Sequence, residues 1–170
     1  MATQILNEKQ FAALGEVAAE SAELESTIGL MIMLVLKFTD ADRDAIITPM
    51  NISIRLEVLK KVGLPRIRSK KRKKEFLDLS DRLKDLLGKR NIAIHGCWTP
   101  VGDLKLGELM AIMAGLSKPA AVEAKNKKGV FKAERLAQLA KELREGRSQL
   151  WAIAKATWIK FGVKVEIPKD

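Results

Sequence analysis

The stretch that decides the fold is Lys70–Gly96, KKRKKEFLDLSDRLKDLLGKRNIAIHG. Its apolar residues recur at helical spacing, namely Phe76, Leu79, Leu83, Leu86, Leu87 and Ile94. This period predicts an amphipathic helix over about residues 70–95, capped by Ser69, with one face in a core. Arg90 falls on the same apolar stripe. A charge there is costly unless the face opens onto a partner or a ligand, so the end of this helix is the candidate site.

An earlier segment predicts a long first helix over about residues 8–37, with Asn7 as its N-cap. Its 3.6-residue period gives a core stripe of Phe11, Leu14, Ala18, Ser21 or Ala22, Glu25, Ile28, Ile32 and Val35. Three carboxylates, Glu16, Glu20 and Glu23, form an acidic stripe on this helix. We interpret the stripe as a solvated face; if it is buried, basic side chains of a neighbouring helix would meet it.

Two further helices follow from the capping and apolar patterns. The first of these helices has Thr48 as its predicted N-cap and Pro49 at its first position, and it ends in the Gly63–Pro65 segment. The second is the last helix of the chain, over about residues 133–161, and Gly146 interrupts its apolar pattern.

Residues 98–131 break the helical rhythm because they hold most of the glycine and proline of this half. We predict a loop or a small β-hairpin insert there, although Leu106–Leu116 also fits a short helix. We predict that residues 162–170 form an extended tail. The predicted fold is all-α, with one domain over residues 1–170. It is a four- or five-helix up-and-down bundle with the insert before the last long helix.

Composition excludes several classes of protein. The chain has 170 residues, of which 47% are hydrophobic, with one cysteine and one histidine. Cys97 alone allows neither an internal disulfide nor a multi-cysteine zinc site, and we expect no cofactor. The N-terminal residues lack the pattern of a signal peptide, and the longest apolar run, Ile28–Leu36, is too short for a membrane span. We therefore expect a cytoplasmic protein without membrane contact.

The charge balance points to a polyanionic partner. The formal net charge is +10 and the pI is about 9.8. Seven of the nine residues in Arg66–Lys74 are basic, more than solubility needs, although a solvated face is the ordinary alternative. The candidate RNA-backbone contacts are Arg68, Lys70, Lys71, Arg72, Lys73 and Lys74, with Lys127 and Lys128 in a second basic cluster.

The candidate catalytic residues are Arg90, Asn91 and His95. Asn91 and His95 are four residues apart and share a helix face, whereas Arg90 and His95 are about 140° apart around the axis. Arginine has a long stem, so both groups can reach one phosphate. Imidazole can move the 2′-OH or 5′-oxygen proton in RNA cleavage, and a guanidinium can stabilise the phosphorane. One histidine per chain is too few for a paired acid and base, which a symmetric dimer would supply.

RNIAIHG, at the end of this predicted helix, resembles the R-x4-6-H motif of the HEPN superfamily, including the polar residue that often follows the arginine. The order of helices is similar as well, over about residues 10–160. The resemblance implies a HEPN-type bundle that acts as a homodimeric, metal-independent endoribonuclease in a toxin–antitoxin or phage-defence system. It implies RNA as substrate, an antitoxin or defence protein as a further partner, and Arg90, Asn91 and His95 as the catalytic set.

Two alternatives to the enzyme remain open at the level of sequence: a catalytically inert binding module, and an antitoxin-like or scaffold protein that would co-purify with an unrelated chain. Some family members are catalytically inert, so the chain also fits a binding module that engages RNA or a protein through its basic loop. His95 and Arg90 would then make structural hydrogen bonds.

One departure from the family concerns regulation. Some HEPN toxins are silenced by adenylylation of a tyrosine two residues after the histidine, but Cys97 stands here and the chain has no tyrosine.

Overall fold

The structure, a computed structural model, describes residues 6–95, 97–99, 109–112 and 130–159. In these ranges it has five helices: α1 Glu8–Leu36, α2 Asp40–Asp42, α3 Ile52–Gly63, α4 Lys70–His95 and α5 Ala133–Thr157. A π-helical turn, Arg43–Ile47, follows α2, and a 3₁₀ turn, Leu64–Arg66, follows α3. The predicted all-α class is thus confirmed for the described residues, while the HEPN type stays a prediction.

Three short strands lie between α4 and α5: β1 Cys97–Thr99, β2 Leu109–Ile112 and β3 Val130–Phe131. They form one antiparallel sheet in the order β1-β2-β3, with Cys97 opposite Ile112 and Leu109 opposite Phe131. Leu109–Ile112 is therefore extended, and the short helix considered for this segment is wrong at these four positions. The other residues of the predicted insert and the tail at 162–170 lie outside the described residues.

The start of α1 is a reciprocal cap. The backbone N–H of Gln10 donates to Asn7 Oδ1 at 2.9 Å, and the backbone N–H of Asn7 donates to Gln10 Oε1 at 3.0 Å. Two N–H groups that the helix leaves without partners are satisfied in this way. The predicted Asn7 cap is confirmed.

The predicted core stripe of α1 is wrong over its first three turns. Phe11 is 49% exposed, and Ala18 is exposed as well. The buried positions of α1 are Gln10, Ala13, Val17, Ser21, Leu24, Thr27, Ile28, Gly29, Met31, Ile32 and Val35. The stripe begins one residue earlier, at Gln10, whose buried side-chain oxygen accepts from the backbone N–H of Asn7.

The start of α3 also differs from the prediction. Asn51, not Thr48, is the N-cap, and its Oδ1 accepts from the backbone N–H of Ile54 at 3.0 Å. The backbone N–H of Thr48 closes the preceding π-helical turn on the carbonyl of Arg43 at 2.9 Å. Because that turn extends to Ile47, Pro49 falls before the helix instead of at its first position.

The helix that carries the candidate site begins where its sequence predicts. The hydroxyl of Ser69 accepts from the backbone N–H of Arg72 at 3.4 Å, and α4 runs over Lys70–His95. Its apolar stripe is buried from Phe76 to Leu87.

The residues divide into two compact units, the first of residues 1–21 and 85–143 and the second of residues 22–84 and 144–170. In the second unit, Phe76 is fully buried and its ring meets the indole of Trp158 edge-on at 5.4 Å. Trp158 Nε1 donates to the carbonyl of Gly63 at 3.3 Å. In the first unit, the buried residues include Val17, Leu86 and Leu136.

Gly63 is the position where this packing tolerates no side chain. A Cβ there would lie 2.6 Å from Cζ2 of Trp158, whose ring is fixed by Phe76 and by its own hydrogen bond. Gly63→Ala should therefore destabilise the protein by about 1–3 kcal/mol in chemical denaturation. Gly15→Ala is the control, because no atom lies within 4 Å of a Cβ there, and we expect unchanged or higher stability. Equal effects of the two substitutions would contradict this packing.

Gly146 does not interrupt α5, contrary to the prediction, since the helix runs through it. A Cβ at Gly146 would lie 2.6 Å from Cδ2 of the buried Leu83. The glycine thus permits a close approach of α5 to α4 in the second unit.

The acidic stripe of α1 is solvated at two of its three positions. Glu16 and Glu23 are exposed, and Glu20 is half-buried. Glu23 Oε2 lies 3.4 Å from Arg147 Nη1 at the surface.

Candidate functional site

The candidate site lies in the first unit, in the last two turns of α4. Arg90 and Asn91 are half-buried, and His95, the last residue of the helix, is exposed. α1 contributes one side chain, the hydroxyl of Ser21. The site therefore sits at the edge of packed structure, where its imidazole is open to solvent.

The guanidinium of Arg90 is held by three hydrogen-bonding groups. Its Nε donates to Ser21 Oγ at 3.2 Å, and its Nη1 donates to Asn91 Oδ1 at 2.9 Å. The same Nη1 lies 3.3 Å from His95 Nε2. The three residues singled out in the sequence are thus brought together, because the long stem of Arg90 spans the turn that separates it from His95.

The hydroxyl of Ser21 orients Arg90. Ser21 is only 1% exposed, and its Oγ donates to the carbonyl of Ala18 at 2.9 Å. That bond uses its proton, so a lone pair of Oγ is left to accept from Arg90 Nε. Sequence analysis placed Ser21 on the core stripe but did not assign it this role. The available signal was a hydroxyl at a core position, which needs a polar partner.

The contact with Arg90 bears on the role of the imidazole. A guanidinium can only donate hydrogen bonds, so a hydrogen bond from Arg90 Nη1 to His95 Nε2 requires the tautomer with the ring proton on Nδ1. Its Nε2 carries the lone pair that a general base needs, and an approaching hydroxyl can reach it because His95 is exposed.

The basic segment Arg66–Lys74 lies in the second unit. Its exposed cationic residues are Arg66, Arg68, Lys70, Lys71, Arg72 and Lys74, and Lys73 is half-buried. Lys127 and Lys128 of the second basic cluster lie outside the described residues.

The positive charges of this basic segment lie at the end of α4 where they lower the stability of the helix. Lys70–Lys73 form the first turn of α4, which contains no acidic residue. The helix dipole places partial positive charge at that end, so each cation there is unfavourable by a few tenths to about 1 kcal/mol. A bound polyanion would offset this cost, whereas a merely solvated face would not.

Membrane spans and metal sites are two further classes to which the described ranges can be compared. None of the helices in the described ranges is both long and apolar enough to cross a membrane. The same part of the chain holds no group of three histidine, cysteine, aspartate or glutamate residues able to bind a metal ion.

Comparison with known proteins finds no match to this chain, whether among models of protein families, curated proteins or solved structures. The functional assignment therefore depends on the chemistry of the site.

Proposed function

We propose that the chain is a metal-independent endoribonuclease of HEPN type, with Arg90, Asn91 and His95 as its catalytic set. The observation that carries the proposal is the 3.3 Å approach of Arg90 Nη1 to an exposed imidazole nitrogen. Two groups that RNA cleavage requires, a general base and a cation for the phosphorane, are thereby adjacent and accessible. The basic segment is the proposed RNA-backbone contact.

The proposed reaction is a transesterification. Substrate binding moves Arg90 Nη1 from His95 to a non-bridging phosphate oxygen, which frees Nε2. Nε2 then takes the proton of the ribose 2′-OH while the 2′-oxygen forms a bond to phosphorus. The bond from phosphorus to the 5′-oxygen breaks, and that oxygen receives a proton. The products are a 2′,3′-cyclic phosphate and a 5′-OH end.

The proton for the leaving oxygen is the reason for proposing a homodimer. One imidazole that has just accepted a proton on one side of the phosphorus is poorly placed to donate on the other side. A second copy of α4, related by a two-fold axis, would supply a second imidazole; in its protonated form that imidazole would donate the proton to the leaving 5′-oxygen from the opposite side. A role in toxin–antitoxin or phage-defence systems, with a protein partner, is carried by the HEPN resemblance alone.

The test is incubation of single-stranded RNA with the purified chain in EDTA. We expect cleavage that leaves cyclic phosphate and 5′-OH ends, and no cleavage of DNA with the same sequence. Intact RNA, or 5′-phosphate ends, would contradict the proposed chemistry.

The Ser21→Ala variant tests whether the hydroxyl of Ser21 positions Arg90 for catalysis. Removal of the hydroxyl takes away one hydrogen bond, worth about 1 kcal/mol, from the guanidinium. We expect kcat to fall about fivefold and KM to stay unchanged. The melting temperature should fall by only a few degrees, since the helix preference of alanine offsets part of the lost hydrogen bond.

Ser80→Ala is the matched control for this measurement. Ser80 is also buried, and its Oγ donates to the carbonyl of Phe76 at 2.7 Å, but no hydrogen bond joins it to Arg90. Its kcat should equal that of the wild type. If Ser21→Ala and the wild type had equal kcat values, Ser21 would not position Arg90 for catalysis.

A second candidate function is an inert RNA-binding module, favoured by the exposure of the basic segment. Neutralising Lys70, Lys71, Lys73 and Lys74 to glutamine should lower the salt slope of log K for single-stranded RNA by about 0.7 for each phosphate that is no longer neutralised. The melting temperature should not fall, because these cations oppose the helix dipole. Lys61→Gln and Lys155→Gln, at exposed positions outside the segment, should leave the slope unchanged.

An unchanged slope in the fourfold variant would show that the segment is only a solvated face. Loss of RNA binding in that variant, together with no cleavage by the wild type, would favour the module over the enzyme.

A further inference from the structure

A groove between α4 and α5 in the second unit shares no residue with the proposed catalytic set or with the basic segment. Its volume is about 430 Å³, and Leu79, Ala152 and Ile153 form an apolar floor. Pockets that hold small molecules in proteins span about 300–1,000 Å³, and most of their lining is apolar with a few polar groups. The groove is therefore large enough for a small organic molecule with a hydrocarbon part.

The rim of the groove carries charges of both signs, in a fixed order along α4. Glu75, Asp78 and Arg82 line the groove, and all three are exposed. They share one face of the helix, because three and then four residues separate them. At a rise of about 1.5 Å per residue, Asp78 lies about 4.5 Å along the axis from Glu75, and Arg82 lies about 6 Å farther. The rim thus presents two negative charges followed by one positive charge.

The charges of the rim do not neutralise one another. Within the described part of the chain, none of these three side chains forms an ion pair, although the spacing of Asp78 and Arg82 would allow one between them. The guanidinium of Arg82 extends to α5 instead, where its Nη2 lies 3.8 Å from the position that a Cβ of Gly146 would take. Both carboxylates and the guanidinium are therefore available to a ligand.

We propose that this groove binds a free basic α-amino acid, with L-arginine as the best match. Its carboxylate pairs with Arg82, its α-ammonium with Asp78 and its side-chain guanidinium with Glu75. The charges of the ligand follow the order that complements the rim, and guanidinium–carboxylate pairs are often bidentate, which suits both ends. The methylene groups of the ligand cover the apolar floor while its charged ends stay at the rim. The site stands independently of the proposed nuclease activity.

The test is a titration of the full chain with L-arginine at constant ionic strength, followed through the δ1-methyl signal of Ile153 in a ¹H–¹³C NMR spectrum. That signal is assigned by its loss in Ile153→Val, because valine has no δ1-methyl group. We expect a saturable shift with a Kd of about 1 mM. Agmatine lacks the carboxylate and L-norleucine lacks the side-chain cation, so each loses one ionic contact and should bind at least about threefold more weakly. The absence of saturation by about 10 mM would overturn the proposal, as would agmatine or L-norleucine binding as tightly as L-arginine.

Two variants test the charge of the rim and the space in the groove separately. Glu75→Gln should weaken L-arginine at least about threefold, whereas Glu145→Gln, at an exposed position of α5 that does not line the groove, should leave its affinity unchanged. Ala152→Leu places a larger side chain on the floor and should weaken L-arginine at least about tenfold. Its melting temperature should stay close to that of the wild type, because Ala152 is exposed and leucine favours helix. An unchanged affinity in either Glu75→Gln or Ala152→Leu would contradict the assignment.

Discussion

RNA cleavage by the His95→Ala variant is expected to fall by about 10²–10⁴-fold at neutral pH, since this is the contribution of a positioned general acid or base. The imidazole nitrogen beside Arg90 is lost, and the chain has no other histidine to replace it. His95 is exposed at the end of α4, so its removal leaves no cavity in the core. We therefore expect the melting temperature and the Kd for RNA to match the wild type.

Lys89→Ala is the control for this measurement, because it removes a side chain from the same end of α4, next to Arg90. Lys89 Nζ pairs with Asp85 Oδ2 at 2.7 Å on the surface and has no hydrogen bond to Arg90 or His95. Its rate should stay within about twofold of wild type, as is usual for an exposed pair. Full cleavage by His95→Ala would eliminate the imidazole from the mechanism.

The second large effect is expected for Arg90→Lys, which keeps the positive charge but loses the planar fork. A lysine ammonium cannot reproduce the simultaneous contacts to Ser21 and Asn91 that orient the guanidinium. If these contacts hold the cation where phosphorane charge develops, kcat should fall by about 10²–10³-fold. RNA affinity should change little, because the net charge is unchanged.

Arg82→Lys is the matched control on α4, since Arg82 is exposed and belongs to the second unit. We expect wild-type kcat for it. A kcat for Arg90→Lys close to that of Arg82→Lys would mean that a diffuse positive charge is sufficient, and the hydrogen-bonded geometry would have no catalytic part.

The elements that short-range signals define were predicted well. Ser69 and the apolar period from Phe76 to Leu87 placed α4, and Asn7 placed the start of α1, because a cap and its partner lie within one helical turn. The Arg90–His95 cluster was predictable for the same reason: five residues separate its members. Its catalytic role is a separate matter of chemistry, and it stays a proposal.

The errors arose where distant contacts decide the outcome. The stripe of α1 is one such case, because the buried face of a helix is decided by what packs against it, and here Gln10 is buried while Phe11 is exposed. Gly146 was wrongly predicted to interrupt its helix. The side chain that needs the space beside it belongs to Leu83, which is far away in the sequence. Ser21 lies 69 residues from Arg90, so no local pattern could pair them.

The central claim is that an RNA 2′-OH is the nucleophile, activated by the pair of His95 and Arg90. The most direct measurement uses a short RNA with one mapped cut site, compared in EDTA with the same strand carrying a 2′-O-methyl group at that nucleotide. We predict that the wild-type chain cuts the first strand and leaves that bond intact in the second. Cleavage of the methylated bond would show that water or another group attacks the phosphorus, and failure to cut either strand would contradict the proposed nuclease.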